Sequence, residues 1–446
     1  MLGRGRINML EQIDQIMTQA KTKSQSAEVF AVNNVQTPVI FHANKLKSVE
    51  TKQSQGYALR VFHNGKVGFA SSSKPDDVEH VVQNALDTSQ YGVSVNYEFS
   101  RHKDFPAIEV FDPETEAIPA EQMISIGEEL IERIRSFNSQ LLCDCRIVKS
   151  TSDVYLVNSE GGFSQYRKTV FAVSFEGTLM IGTDMLFVMD SIVSCHPVRE
   201  MTSIVTNVIE QLSYSKQTSK ISNHKIPVVF TPQAVSSVLM NPLLSALNGR
   251  SVLRDISPFS SKLSCKIMDS RISLQDDPTI PFIPASRPSD AEGIPSRQTV
   301  LIEDGVLKSF LYDLQTAAYM GTVSTASASR SINALPSPAP GVLRLSPGSK
   351  NHQKILDGVS EGIIVEQLIG AGQSNVQGGD FSGNILLGYR FQNGEIIGRV
   401  KDTMISGNVH EILNQVLDVS EDGRWIGGYL WSPYIMLDGI SVASST

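Results

Sequence analysis

Between Ile369 and Asn408 the chain reads IGAGQSNVQGGDFSGNILLGYRFQNGEIIGRVKDTMISGN, and nine of these forty residues are glycine, against 32 in all 446. Glycine concentrates where backbone must take positive φ or lie close to another backbone or a ligand. Here the glycines separate short β-like runs at 385–387, 389–391 and 396–400, and Asn393-Gly394 is a strong hairpin signal between the last two. The stretch predicts tightly turned antiparallel sheet, with a loop at 370–382 able to hold an extended ligand. It is not a phosphate loop. Gly370-Ala371-Gly372 has Asn375 where G-x-G-x-x-G needs its third glycine, and no Gly-Lys-Ser/Thr follows.

The rest of the chain predicts an α+β fold in two parts. An amphipathic helix opens it, with Ile7, Leu10, Ile13, Met17 and Ala20 on one face. A hairpin follows, with 57–62 and 66–70 flanking His63-Asn64-Gly65, a type I′ signal. Asp76-Asp77 then begins a helix, acidic residues suiting its first turn. A proline-containing acidic stretch at 105–119 precedes a helix over 120–137, with Met123, Ile126, Leu130, Ile134 and Phe137 at helical spacing. Three strand-like segments and a helix after Pro197 complete this part, and the polar run 213–225 reads as a linker. Residues 1–225 are therefore expected to form an N-terminal α+β domain, with subdomains at about 1–104 and 120–218. Residues 226–446 are expected to form a mostly antiparallel β domain with one early helix. Prolines at 281, 284, 288 and 295, and again over 336–347, mark long irregular loops of the kind that often bind ligands.

Composition narrows the function. A 41% hydrophobic and 19% charged chain is an ordinary globular one. A net charge of −8 without Lys/Arg runs argues against direct nucleic-acid binding. No apolar run approaches the roughly 20 residues that span a bilayer. The N-terminus lacks the continuous apolar core of a signal peptide, and four cysteines make no disulfide framework. The expected location is the cytoplasm, with no membrane association.

Several motifs in order carry a family resemblance. They are Gly56-Tyr57-Ala58-Leu59-Arg60 with Gly68-Phe69-Ala70, Asp290-Ala291-Glu292-Gly293, and Leu301 to Lys308 around Asp304-Gly305. Gly379-Asp380-Phe381-Ser382, Asn393-Gly394-Glu395-Ile396 and Ile405-Ser406-Gly407-Asn408 follow. Their succession resembles the TldD/TldE (PmbA) proteins, historically labelled modulators of DNA gyrase. In the TldD branch the resemblance implies a zinc peptidase whose ligands lie on a helix as H-E-x-x-x-H, the glutamate polarising a bound water. The matching element here, 231–248 after a strand at 226–230, contains no His, Glu, Asp or Cys, and Pro242 should kink or split it. The branch's later Cys ligand would fall near 425–431, where this chain has none. The resemblance thus implies the TldE/PmbA-like branch: a subunit with no catalytic or metal-binding residues and no cofactor, zinc being held by a TldD-like metallopeptidase partner. The complex would act on small unfolded peptides. A homodimeric peptide-binding scaffold and a peptidase with a divergent site are the alternatives.

Elsewhere the chemistry is sparse. Cys143 and Cys145 share a strand face and read as core, and Cys195-His196 and His410-Glu411 lack partners at metal-binding spacing. There is no G-x-S-x-G elbow. Ser324 to Arg330 reads as a flexible surface connection, and Asp276-Asp277 and Asp290/Glu292 as solvated loop charge. The peptide-binding candidates are Asn375, Gly379, Asp380, Phe381 and Ser382, which would meet an extended chain by β-addition. The interface candidates are Trp425, Tyr429, Trp431 and Tyr434, because Trp and Tyr anchor interfaces.

Overall fold

The computed structural model describes residues 2–74, 77–221 and 225–444. Asp76, expected to open a helix, lies outside them, as do residues 222–224 of the expected linker and the side chain of Ile7. Helix α1 (Leu2–Lys23) buries Met9, Ile13, Ile16, Met17 and Ala20, while Leu10 is 40% exposed. Two ladders share Ile13, Met17 and Ala20, and packing selects the one that runs through Met9 and Ile16.

Seven antiparallel strands form the first sheet: β1 (Ser26–His42), β2 (Lys45–Val49), β3 (Lys52–His63), β4 (Lys66–Ser72), β5 (Leu142–Asn158), β6 (Phe163–Ile181) and β7 (Asp184–Ser194). Their order is β4-β3-β1-β5-β6-β7, with β2 paired to the second half of β1. The β3–β4 turn has positive φ at Asn64 and Gly65, which is the geometry that the Asn-Gly pair predicts.

Alternation along the strands divides this sheet into two unlike faces. Odd-numbered residues such as Val29, Ala31, Leu59 and Tyr155 pack under α1 and α2 (Val78–Ser89). Phe41, Cys145, Ile147 and Val173 pack under α3 (Ala120–Phe137) and α4 (Thr202–Tyr214). Both pairs of helices therefore cover one face of a long sheet. The even-numbered face carries Phe30, Ala58 and Leu156, and also Glu28 and Arg60, which stand directly opposite each other in the β1–β3 ladder. Among the described residues the segment 284–334 covers that face, with the short helix Leu314–Tyr319 within it. Arg60 Nη2 donates to Glu28 Oε1 at 2.9 Å and Nη1 to Glu292 Oε1 at 2.6 Å. Arg330 Nη2 reaches the same Glu28 oxygen at 2.9 Å. The Arg60, Glu28, Glu292 and Arg330 side chains are at most 2% exposed.

The second sheet has twelve strands and spans Thr218–Ser219 to Leu430–Ser444. It is mostly antiparallel, with three parallel pairings, one of them between Lys225–Phe230 and Glu361–Ile369. The fold class is α+β with a strand-rich C-terminal domain. Short helices at Leu314–Tyr319, His352–Leu356 and Val409–Ile412 were not expected from sequence, being too short to show a period. No described helix is long and apolar enough to cross a membrane.

Asp276, expected in solvent, is 2% exposed and accepts the N–H groups of Gly341 and Val342 at 2.9 Å each. Burial pushes its carboxyl up to about 6 from 3.8. A raised folded value means that the stability held at this site is fully present below about pH 4 and is lost as pH rises through about 6. Asp276→Asn keeps an oxygen for both donors without the charge. Denaturant titrations should therefore show the variant gaining on the parent by about 2–3 kcal/mol between pH 4 and pH 7. A difference independent of pH would contradict this.

Candidate functional site: a glycine-rich loop over a π-turned helix

Strand Lys225–Phe230 leads into Thr231, whose hydroxyl accepts the N–H of Ala234 and caps the element that follows. That element runs as helix Pro232–Ala234, a π turn Val235–Leu239 and helix Met240–Leu247. Pro242 has no N–H for the carbonyl four residues earlier. A wider π turn stands just before it, where the N–H of Met240 reaches the carbonyl of Val235, and the helical run continues to Leu247 without the expected split. Val235, Val238, Leu239, Leu243 and Leu247 are buried in the main core of the C-terminal domain.

The glycine-rich loop lies against this helix. Gly370, at φ +89°, ends strand Glu361–Ile369, and a 3₁₀ turn at Ala371–Gln373 packs on Val235–Leu239. The loop is then tied to the turn at 408–410. Asn408 Nδ2 donates to Gly378 O at 2.7 Å and to Asp380 Oδ1 at 2.8 Å, and the Val409 N–H donates to Gly379 O at 2.7 Å. Asn375 is exposed and its Oδ1 accepts the Gly378 N–H. Asp380 is exposed and Ser382 half-buried, its hydroxyl facing the Met404 sulfur at 3.5 Å. Asp380 and Ser382 thus share one side of the strand, and Asn375 lies beside them, its carbonyl accepting the Asp380 N–H at 3.1 Å. Phe381 does not belong to that side: the ring is 2% exposed and meets Phe230 edge-to-face at 6.3 Å. Alternation alone explains this, since a strand that shows Asp380 and Ser382 to one side must bury Phe381 on the other. Gly379 is buried against His410, whose imidazole burial holds below its ordinary value and hence neutral at pH 7.

Trp425 and Trp431 face each other across the hairpin of Val416–Ile426 and Leu430–Ser444, each half-buried. Tyr429 is hydrogen-bonded to Ser236 on the π turn at 2.8 Å. Tyr434 stacks on His352 at 4.7 Å, and burial raises its phenol well above the ordinary value. The two tyrosines are thus engaged by Ser236 and His352, and all four aromatic residues are half-buried.

Two sequence expectations are corrected elsewhere. Asp290 and Glu292 are 3% and 0% exposed. The Asp290 carboxylate accepts the N–H groups of Glu292, Ile294 and Ala328, and burial raises Glu292 to about 7 despite its contact with Arg60. Ser324 to Arg330 is not a surface connection, because Ser327 and Ala328 are fully buried and Arg330 is in the ion network. Composition signalled loops in both cases, but it gave no sign that a sheet face stood above them.

The C-terminal domain of the PmbA/TldA metallopeptidases matches residues 223–444, and domain 1 of the same proteins matches residues 27–89. The chain belongs to the PmbA/TldD family. It is 25% identical to the metalloprotease PmbA of Escherichia coli O157:H7 over 92% of its length and 91% of that protein's. It is 24% identical to a metalloprotease of Methanothermobacter thermautotrophicus over the same shares. The TldE structure from Thermococcus kodakarensis has the same fold, with a TM-score of 0.89 at 20% identity, covering 97% of this chain and all of that one.

A metal implied by a metallopeptidase family does not fit the residues present here. In this PmbA/TldD chain, no group of three His, Cys, Asp or Glu side chains among the described residues could hold a metal ion. Cys143 and Cys145 are buried, and burial pushes their thiols up to about 11 and about 12, away from the thiolate a metal needs. His196 is turned to Asp112 at 2.6 Å.

The loop's geometry is testable at Gly379, where φ is +90° and an added Cβ would lie 2.4 Å from His410 Cδ2. Gly379→Ala should cost about 1–3 kcal/mol in chemical denaturation, whereas Gly372→Ala, with open space around it, should cost about 1 kcal/mol or less. Equal effects would show that the loop is not held as described.

Proposed function

We propose that this chain is the non-catalytic, TldE/PmbA-like subunit of a zinc metallopeptidase complex, working beside a TldD-like partner on small unfolded peptides. The observation that carries the reading is the helix Pro232–Leu247. It occupies the place where the resemblance puts the partner's H-E-x-x-x-H, and it offers no side chain that can bind zinc or polarise water. The loop over it still presents backbone and the polar rim Asn375, Asp380 and Ser382. Such a rim suits an extended peptide, which pairs through main-chain groups and needs little sequence specificity. The tryptophan pair on the last hairpin supplies the contact surface, as amphipathic aromatics do at protein interfaces. A cytoplasmic location accords with this role, and a homodimer is the assembly expected where no partner is made.

Peptide cleavage by the purified chain, alone and mixed with a TldD-like partner, tests this. The chain alone should leave unstructured peptides intact, and EDTA should leave its melting temperature unchanged. The mixture should cleave them in a chelator-sensitive way. Trp431→Ala should weaken association more than it lowers stability, and Asp380→Ala should lower turnover while assembly persists. Robust cleavage by the chain alone would overturn the assignment.

A further inference from the structure

Beneath the segment 284–334, on the face of the first sheet opposite α1 to α4, lies a cavity of about 90 Å³. A single water needs only roughly 10–15 Å³ of such space. Phe30, Val154 and Leu156 form its apolar floor, and Ser164 and Tyr166 its polar side. The β5–β6 register dictates this, since Val154 pairs with Tyr166 and Leu156 with Ser164 on one face. The covering segment adds Arg287 and Arg330.

Both guanidiniums keep unspent donors there. Nε and Nη2 of Arg287 are buried and have no acceptor among the described residues, and the same holds for Nε and Nη1 of Arg330. The Arg330 side chain is fully buried, stacked over the Phe30 ring at 4.4 Å, and only its Nη2 is engaged, with Glu28. Asp290, the carboxylate that lines the cavity, spends its oxygens on three backbone N–H groups and not on either guanidinium. Lys168 follows Tyr166 by two on β6, on the same face, and has no ion pair among the described residues. Burial and the neighbouring Arg287 lower its ammonium to about 8. Glu28 faces Arg330, and Asp290 and Asp276 act on Arg287 through space, so the charges are met, yet buried guanidinium N–H groups without acceptors remain costly. The Nε and Nη2 groups of Arg287 form the side edge of the guanidinium fork, which matches two oxygens of a carboxylate or phosphate.

We infer that this cavity is a binding site for a small oxyanion, held by the Arg287 fork and capped by Arg330. The chemistry is shared by free inorganic phosphate and by the terminal carboxylate of a peptide. The site stands apart from the glycine-rich loop and does not depend on the role proposed for it.

Melting curves of the full chain test this at constant ionic strength, with chloride replaced stepwise by phosphate, by N-acetyl-alanine or by N-acetyl-alanine amide. A bound anion raises the melting temperature with the logarithm of its concentration. Phosphate or the free acid should do so, and the amide should not. A response to phosphate alone assigns a free anion, and a response to the acid alone assigns a chain end. Arg287→Lys keeps the charge without the fork and should weaken the response roughly tenfold or more. Arg101→Gln, at an exposed arginine, should leave it unchanged. Melting temperatures indifferent to both anions, a response to the amide equal to that of the acid, or an undiminished response in Arg287→Lys would each overturn the inference. The parent chain alone decides the first two, so the test holds even if the Arg287 variant folds poorly.

Discussion

The molecule depends on the buried ion network in which Arg60 bridges Glu28 and Glu292 while Arg330 shares Glu28. Charges taken out of water are costly, and removing one member of such a group costs about 3–5 kcal/mol because its partner is left uncompensated. The network therefore acts less as a source of stability than as a constraint on arrangement. It ties the segment 284–334 to the sheet by bringing Glu292 to Arg60 across 232 positions of sequence. The segment then serves as the layer that helices provide on the opposite face.

The C-terminal domain holds its loop by separate contacts. The loop at 370–382 is anchored by Asn408 from one side and by the π turn from the other. A π turn is a local departure that often marks a working position. Here it absorbs Pro242 and keeps the helix continuous beneath the loop. Among the described residues this place offers no donor set for a metal.

Much of the scaffold was legible in the sequence. The Asn64-Gly65 and Asn393-Gly394 hairpins follow from local φ preferences, and both pairs take positive φ. The helix over 120–137 follows from its spacing, and Cys143 and Cys145, 0% and 2% exposed, from alternation on a strand. What escaped was nonlocal. Asp276 looks like loop charge until its strand in the second sheet is known, Asp290 and Glu292 until the first sheet above them is known, and Ser327 looks like linker for the same reason. Phe381 sits in a motif with polar neighbours, so only the strand's period separates it from Asp380 and Ser382. The first helix shows the limit of periodicity, since two ladders sharing three residues cannot be ranked without the sheet beneath them.

The role proposed for this chain is to contribute shape and contact beside a metallopeptidase subunit that holds the metal. Native mass spectrometry of the chain mixed with a zinc-loaded TldD-like subunit tests it most directly. The account predicts a mixed assembly whose zinc stays with the partner when the subunits are separated. A zinc ion retained by this chain, or two subunits that never associate, would contradict it.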